Sequence, residues 1–238
     1  MMKGKVAYIT GGTKGIGLGV AEALLDRGMR VAFSGRSQDS VSERAQELEG
    51  RHSGRVLGLA SNVVNAEDEI KAVQQIKDKW GQLDVVLANA GIGHFAPIDE
   101  MKNEDWKNVI DTNLHGVFHT LKASVDELKS SKGYFMTLAS LAGTNFFENG
   151  AAYNASKFGV VGFTQAVMLD LRKYGIKTTT IMPGSVATHF NGHVPNPDDA
   201  WKIQPEDLGL MVAQLLEMDH RTLPSKVEVR PTQPPSAR

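Results

Sequence analysis

The chain has no cysteine among its 238 residues. Disulfides, thiolate catalysis and cysteine-held metals are therefore excluded. No apolar run approaches the roughly 18 residues of a membrane span, so a bilayer is not an expected partner. Net charge is almost absent. With 26 basic and 27 acidic side chains the formal charge is -1, which creates no global field for nucleic acid or an anionic membrane. The first residues, MMKGKVAYITGG, carry no signal-peptide pattern, and a cytoplasmic location is the expectation. Residues that are 41% hydrophobic and 22% charged still suffice for one sizeable core.

What is present is alternation. Short apolar runs at Val6 to Thr10, Arg30 to Ser34, Val56 to Ala60, Asp84 to Ala88, Tyr134 to Leu138 and Lys177 to Met182 read as buried strands. Amphipathic segments near 15–27, 38–50, 66–80, 104–130, 151–173 and 205–218 lie between and after them. Strands apolar on both faces, each followed by a helix, predict an α/β chain with a doubly wound parallel sheet and helices on both faces. The ligand crevice of such a sheet lies at the strand carboxyl ends. A last strand, Lys226 to Val229, is expected at one edge, and the tail over 231–238, PTQPPSAR, is short and proline-rich. No linker or repeat divides the chain, so 1–230 reads as one domain.

The first strand runs into Thr10-Gly11-Gly12-Thr13-Lys14-Gly15-Ile16-Gly17. Gly11 allows a tight turn, while Gly15 and Gly17 let a pyrophosphate approach the backbone at a helix N-terminus. The spacing is GxxxGxG. The second strand, RVAFSGRS, selects the dinucleotide. A site for NAD ends this strand with a carboxylate for the ribose 2′-hydroxyl. Here Gly35 stands in that place and Arg36 and Ser37 follow. The planar fork of arginine suits a 2′-phosphate, and Lys14 adds a second cation. This favours NADP(H).

Farther along, Ser140 to Lys157 reads SLAGTNFFENGAAYNASK. Tyr153 and Lys157 are four apart and share one helix face. A phenol ordinarily titrates near pH 10, and an adjacent ammonium is expected to lower that value toward useful proton transfer. Ser140 can hold a substrate oxygen meanwhile.

The glycine loop, Asn89-Ala90-Gly91 after the fourth strand, Asn113, Ser140, Tyr153, Lys157 and Pro183-Gly184-Ser185-Val186-Ala187-Thr188 occur in that order. Together they resemble the short-chain dehydrogenase/reductase family, across residues 4–218. The resemblance implies a Rossmann fold with a catalytic tetrad of Asn113, Ser140, Tyr153 and Lys157. Tyr153 would be the general acid in reduction. Lys157 would also hold the nicotinamide ribose, and Asn113 would anchor a water that feeds protons to Lys157. Asn89, Ala90 and Gly91 would line the adenine ribose, Asn62 and Val63 the adenine, and Pro183, Gly184, Val186 and Thr188 the carboxamide. The implied activity is NADPH-dependent hydride exchange with a small or medium carbonyl or alcohol, such as a 3-oxoacyl thioester, ketone or aldehyde. A non-catalytic NADP(H)-binding regulator is the alternative, as is an epimerase or dehydratase; regulators of this kind usually lose the Tyr or Lys that this chain keeps. A homodimer or homotetramer is implied through the helices at 104–130 and 151–173. Three features depart from the pattern: Asn62 where the family has Asp, Ala139 before Ser140, and Glu228-Val229-Arg230-Pro231 in place of a Gly-Gly-containing last strand.

Substrate contacts are expected from Gly93-His94-Phe95, from Gly143 to Gly150 with Phe146 and Phe147, and from a mobile lid over 188–203 with Phe190 and Trp201. Each of His94, His189 and His193 reads as a solvated loop residue. No metal is expected. Lys122, Lys129, Lys132, Arg172 and Lys173 gather near helix C-termini, where the dipole favours them; docking of an acidic acyl-carrier protein is the other reading. Arg36→Asp should move cofactor preference from NADPH toward NADH, read as the ratio of the two Kd values. An unchanged ratio would remove Arg36 from the 2′-phosphate.

Overall fold

The computed structural model describes residues 2–233; residues 234–238 of the expected tail lie outside them. Seven parallel strands form one sheet in the order β3-β2-β1-β4-β5-β6-β7. They are β1 (Val6–Ile9), β2 (Arg30–Gly35), β3 (Val56–Ala60), β4 (Val85–Ala88), β5 (Tyr134–Leu138), β6 (Lys177–Pro183) and β7 (Lys226–Val229). Between them run α1 (Gly15–Asp26), α2 (Gln38–Arg51), α3 (Ala66–Trp80), α4 (Asn103–Ile110), α5 (Gly116–Ser131), α6 (Ala151–Leu171) and α7 (Pro205–Glu217). The strand alternation explains the double winding. Ala7, Ile9, Val31, Phe33, Val85 and Leu87 face one core with Val20, Leu24, Leu48 and Val212 of α1, α2 and α7. Val6, Tyr8, Ala32, Val86 and Ala88 face the other with Ile76, Val117, Leu128 and Val160 of α3, α5 and α6. Both faces of the sheet are covered, as continuous apolar strands require. No helix of the described residues is long and apolar enough to cross a membrane.

Two features place the crevice. Helix α7 packs on α1 through bare backbone: a Cβ on Gly209 would lie 2.4 Å from the Gly19 carbonyl oxygen, and one on Gly19 would lie 2.5 Å from that of Pro205. The second is a break in a helix. The continuous helix expected over 104–130 is divided at Asp111–His115, a π turn in which the Gly116 N–H reaches back to the Asp111 carbonyl. Ile110, Asp111 and Gly116 keep helical dihedrals, so the helix continues on both sides of the turn while its side-chain phase changes. Such turns hold one more residue than an α-turn and commonly mark functional positions. Here it carries Asn113.

Beneath the sheet lies a buried acid that composition does not announce. Glu69 of α3 is fully buried. Its Oε1 accepts from the Tyr8 hydroxyl at 2.9 Å and from Ser61 Oγ at 2.6 Å. Among the described residues its Oε2 meets no hydrogen-bond partner, and burial pushes its carboxyl above the ordinary glutamate range. A raised folded-state pKa means that the unfolded chain ionises first as pH rises. Stability from Glu69 is therefore complete below the ordinary glutamate pKa and is lost as pH rises through the folded value. Glu69→Gln keeps the neutral shape and escapes that loss. Its melting temperature relative to the wild type should increase with pH across weakly acidic to neutral buffers. A relative decrease would show that Glu69 is held as an anion.

Candidate active site

Strand order reverses between β1 and β4, and the chain ties these two strand ends together. Thr10 Oγ1 accepts the Asn89 and Ala90 N–H groups at 3.0 and 3.1 Å. Asn89 Nδ2 in turn donates to the carbonyls of Thr10 and Gly11 at 2.8 and 3.0 Å. Gly11 turns with φ +67, and a Cβ on Gly17 would lie 2.5 Å from the Gly11 oxygen and 2.6 Å from Asn89 Nδ2. Only bare backbone fits between strand end and helix. The α1 N-terminus therefore opens directly onto the crevice. Its capping position, Lys14, supplies no side-chain hydrogen bond, and its first turn holds no acid. Uncapped amides over a glycine floor suit the pyrophosphate of a dinucleotide. Gly11, Thr13, Lys14, Gly15, Ile16 and Gly17 would hold it.

At the end of β2, a Cβ on Gly35 would lie 2.9 Å from Thr13 Cγ2 and 3.1 Å from Val41 Cγ2. A carboxylate-bearing residue does not fit there unless Thr13 moves. Arg36 and Lys14 are exposed, and Ser37 caps α2 by accepting from the Ser40 N–H at 3.4 Å. Asn62 is exposed, with Oδ1 turned onto the Val64 N–H at 3.3 Å. Val63 is buried, and its carbonyl is held by His119 Nδ1 at 2.9 Å.

The structure brings Ser140, Tyr153 and Lys157 together. Ser140 ends the extension of β5 and caps a short 3-10 turn, Leu141–Gly143, by accepting from the Ala142 N–H at 3.1 Å. Tyr153 and Lys157 stand on one face of α6. Lys157 is 4% exposed, and its Nζ donates to the Leu138 carbonyl at 2.8 Å and stands 5.6 Å from the centre of the Tyr153 ring. Electrostatics in this pocket differ from the sequence expectation. Burial pushes the Tyr153 phenol up to about 12, against a hydrogen bond with Ser140 that lowers it. Burial also pulls the Lys157 ammonium down to about 8. Desolvation dominates at both groups, because each charged form loses its water. The result is a phenol that keeps its proton at neutral pH beside an amine that exchanges protons near it.

Asn113 is 1% exposed and serves as a clamp. Its Oδ1 accepts the Ile92 N–H at 2.8 Å, while Nδ2 donates to the Ile92 carbonyl at 2.9 Å and to Ser156 Oγ at 3.0 Å. Its side chain therefore ties the segment after β4 to α6. Gly91 lies between: a Cβ there would be 3.3 Å from Asn113 Oδ1 and 3.7 Å from Lys157 Nζ. Pro183 ends β6, Gly184 donates to the Val229 carbonyl at 2.8 Å, and the Thr188 side chain stands against Gly15.

The lid segment is built rather than loose. A parallel bridge pairs Val186 with Ile203, and 3-10 turns occupy Phe190–Gly192 and Pro197–Trp201. His193 is not the solvated residue expected. Its Nε2 pairs with Asp199 Oδ2 at 2.5 Å, and Lys202 Nζ lies 2.6 Å from Asp199 Oδ1. These partners, Lys202 foremost, hold the buried Asp199 carboxyl down at about 2. His94 lies 3.2 Å from Asp105, and His189 is exposed. Among the described residues no three His, Asp or Glu side chains converge as a metal site.

A doubly wound sheet whose glycine-floored helix end faces a Ser–Tyr–Lys cluster defines a nucleotide-binding oxidoreductase. The chain belongs to the short-chain dehydrogenase family, whose pattern matches residues 5–199. An uncharacterised oxidoreductase of Staphylococcus saprophyticus is 30% identical over 235 residues, covering 97% of this chain and 98% of that protein. The alcohol dehydrogenase of the archaeon Thermococcus sibiricus, solved with 5-hydroxy-NADP, superposes with a TM-score of 0.91 at 29% identity, covering 97% of this chain and 98% of its own. A 3-ketoacyl-(acyl-carrier-protein) reductase from Brucella melitensis, solved with NADH, shares the fold with a TM-score of 0.85 at 23% identity, covering 98% and 99%.

One supporting residue escaped sequence reasoning. Asn154 is 9% exposed, and its Nδ2 donates to the carbonyls of Ala142 and Asn145, both at 2.7 Å. It braces the turn that begins at Ser140. Its only sequence signal is its place beside Tyr153. Asn154→Ala leaves those carbonyls unpaired and should cost about 1–3 kcal/mol of stability, read by denaturant unfolding. Unchanged stability would show that the turn holds itself.

Proposed function

We propose that the chain is an NADPH-dependent reductase of small or medium carbonyl compounds, able to run in reverse on the corresponding alcohols. The observation that carries this reading is the gathering of Tyr153, Ser140 and Lys157 at the strand carboxyl ends, where the glycine-floored N-terminus of α1 also opens. NADPH, when bound, supplies the hydride. The residues supply the rest. Ser140 Oγ holds the carbonyl oxygen by hydrogen bond, and Tyr153 donates its proton to that oxygen as the alcohol forms. Lys157, protonated at neutral pH with a value near 8, stabilises the transient phenolate and assists its reprotonation. Asn113 fixes the segment carrying Gly91 and Ile92, and so the floor on which Lys157 rests.

NADP over NAD is supported by Gly35, which leaves no acid for the 2′-hydroxyl, and by the exposed cations Arg36 and Lys14. The Thermococcus dehydrogenase, solved with an NADP derivative, is consistent with it. Candidate substrates are a 3-oxoacyl thioester, a ketone or an aldehyde. A reductase that consumes NADPH works where that cofactor is produced, so the cytoplasm is the proposed compartment. A homodimer or homotetramer is the proposed assembly; Phe118 of α5 and Phe158 and Leu169 of α6 are 49%, 39% and 54% exposed on the helices concerned.

The test is NADPH oxidation against a panel of aldehydes, ketones and 3-oxoacyl thioesters, with NADH alongside. Turnover with NADPH preferred is expected. Tyr153→Phe should lower kcat by about 10²–10⁴-fold, as loss of a general acid does, with NADPH Kd nearly unchanged. Tight NADPH binding without turnover across the panel would favour a non-catalytic regulator instead.

A further inference from the structure

Three loops each place a phenylalanine against the ring of Tyr153. Phe95 meets it edge-on at 5.6 Å, Phe190 of the lid lies tilted at 5.5 Å, and Phe147 lies at 6.5 Å. Phe95 also meets Phe147 edge-on at 5.7 Å. Phe147 has a second side. It forms one wall of an open groove of about 470 Å³ between residues 96–98 and 146–151. Phe147 is thus shared between the shell of the catalytic phenol and the groove outside it.

The groove is apolar and held in shape. Ile98 and Phe146 expose 70% and 85% of their surfaces along it. Its two walls are joined where the Ala96 N–H donates to the Asn149 carbonyl at 3.0 Å. Phe146 is stacked on Phe158 of α6 with ring centres 5.6 Å apart and planes 3° from parallel. Phe147 rests on bare backbone, since a Cβ on Gly150 would lie 2.5 Å from its Cε2. Among the lining residues Glu148 alone is charged. No lysine or arginine lines the groove to receive a carboxylate or phosphate.

We propose that this groove seats the uncharged, apolar tail of the carbonyl substrate, and that Phe147 is the partition setting how far that tail extends from Tyr153. This rests on the reductase reading and deepens it. It favours alkyl or aryl ketones and aldehydes over thioesters with a phosphorylated carrier, because Glu148 repels an anionic tail and no cation offsets it. Wherever the tail replaces water against Ile98, Phe146 and Phe147, each buried methylene is worth about fourfold in affinity.

The test uses N-alkylacetamides, which carry a carbonyl and an apolar tail but are not reduced. Their binding to the NADPH-saturated protein is measured by calorimetry from ethyl to decyl, for the wild type, Phe147→Ala and Phe147→Trp. Phe147 is 47% exposed, so its truncation is a mild change to the fold. Wild-type affinity should rise with chain length and then level off. Phe147→Ala should move that plateau to longer chains, gaining about fourfold per added methylene, and Phe147→Trp should move it to shorter ones. An analogue ending in a carboxylate should bind at least about tenfold more weakly than its uncharged equal, the size of a modest charge mismatch. Superimposable length profiles in all three proteins, or equal binding of the carboxylate series, would overturn the proposal. Because the amides are not turned over, these results stand apart from the reductase assay. Failure of that assay alone would remove the catalytic reading and leave the groove assignment to the binding data.

Discussion

A carboxamide holds together the two strand ends on which the site is built. Asn89 reaches from the end of β4 to the carbonyls of Thr10 and Gly11, and Thr10 returns the contact through its hydroxyl. This exchange fixes the splay between β1 and β4 where strand order reverses. Gly11 and Gly17 approach closely around it, so the start of α1 is brought to the crevice mouth by the same set of atoms. Were these strand ends to separate, the helix amides and the Tyr153 side of the crevice would lose their common frame. The Gly19–Gly209 contact then ties α7, and with it the C-terminal root of the lid, to α1. Both sides of the crevice share one strut.

Burial supplies the chemistry within that frame. Tyr153 and Lys157 lie close enough to suggest that the cation would acidify the phenol. Desolvation acts on both and drives their proton affinities in opposite directions, up for the phenol and down for the amine. The phenol thus keeps its proton at neutral pH, and the amine's value is brought closer to neutral. Asp199 shows the converse on the lid. Paired with Lys202 and His193, it remains an anion although its side chain is buried, and it pins the turn that carries Trp201.

Much of this was legible in the sequence. Periodicity located all seven strands to within a residue or so, because strands covered on both faces are apolar throughout and punctuated by glycine or polar turns. The glycine loop and the Ser140–Lys157 stretch could be placed at strand ends for the same reason. What escaped depends on distances between residues far apart in the chain. The π turn at Asp111–His115 has an ordinary helical composition, and only the demand that Asn113 reach Ile92 and Ser156 reveals it. The His193–Asp199–Lys202 group lies in a segment with no period, where pairing cannot be inferred from spacing. Likewise Glu69 sits on an otherwise polar stretch of α3, and its burial follows from Tyr8 and Ser61 lying above it. The shift of the Tyr153 phenol required knowing how deeply its oxygen is enclosed.

The π turn also separates two demands that a regular helix would couple. Each residue of an α-helix advances about 100° around the axis, so one residue more than an α-turn resets the angular phase of everything beyond it. Asn113 points inward to its clamp, while Phe118 of α5 is 49% exposed. Winding the segment into a plain α-helix with every residue kept would swing the whole outer face of α5 by about 100°, whereas deleting one residue between Asp111 and His115 would close the π turn and leave that face in place. The orientation of that face is thus encoded in a count of residues, and substitutions along α5 can reshape what it presents to solvent without touching Asn113.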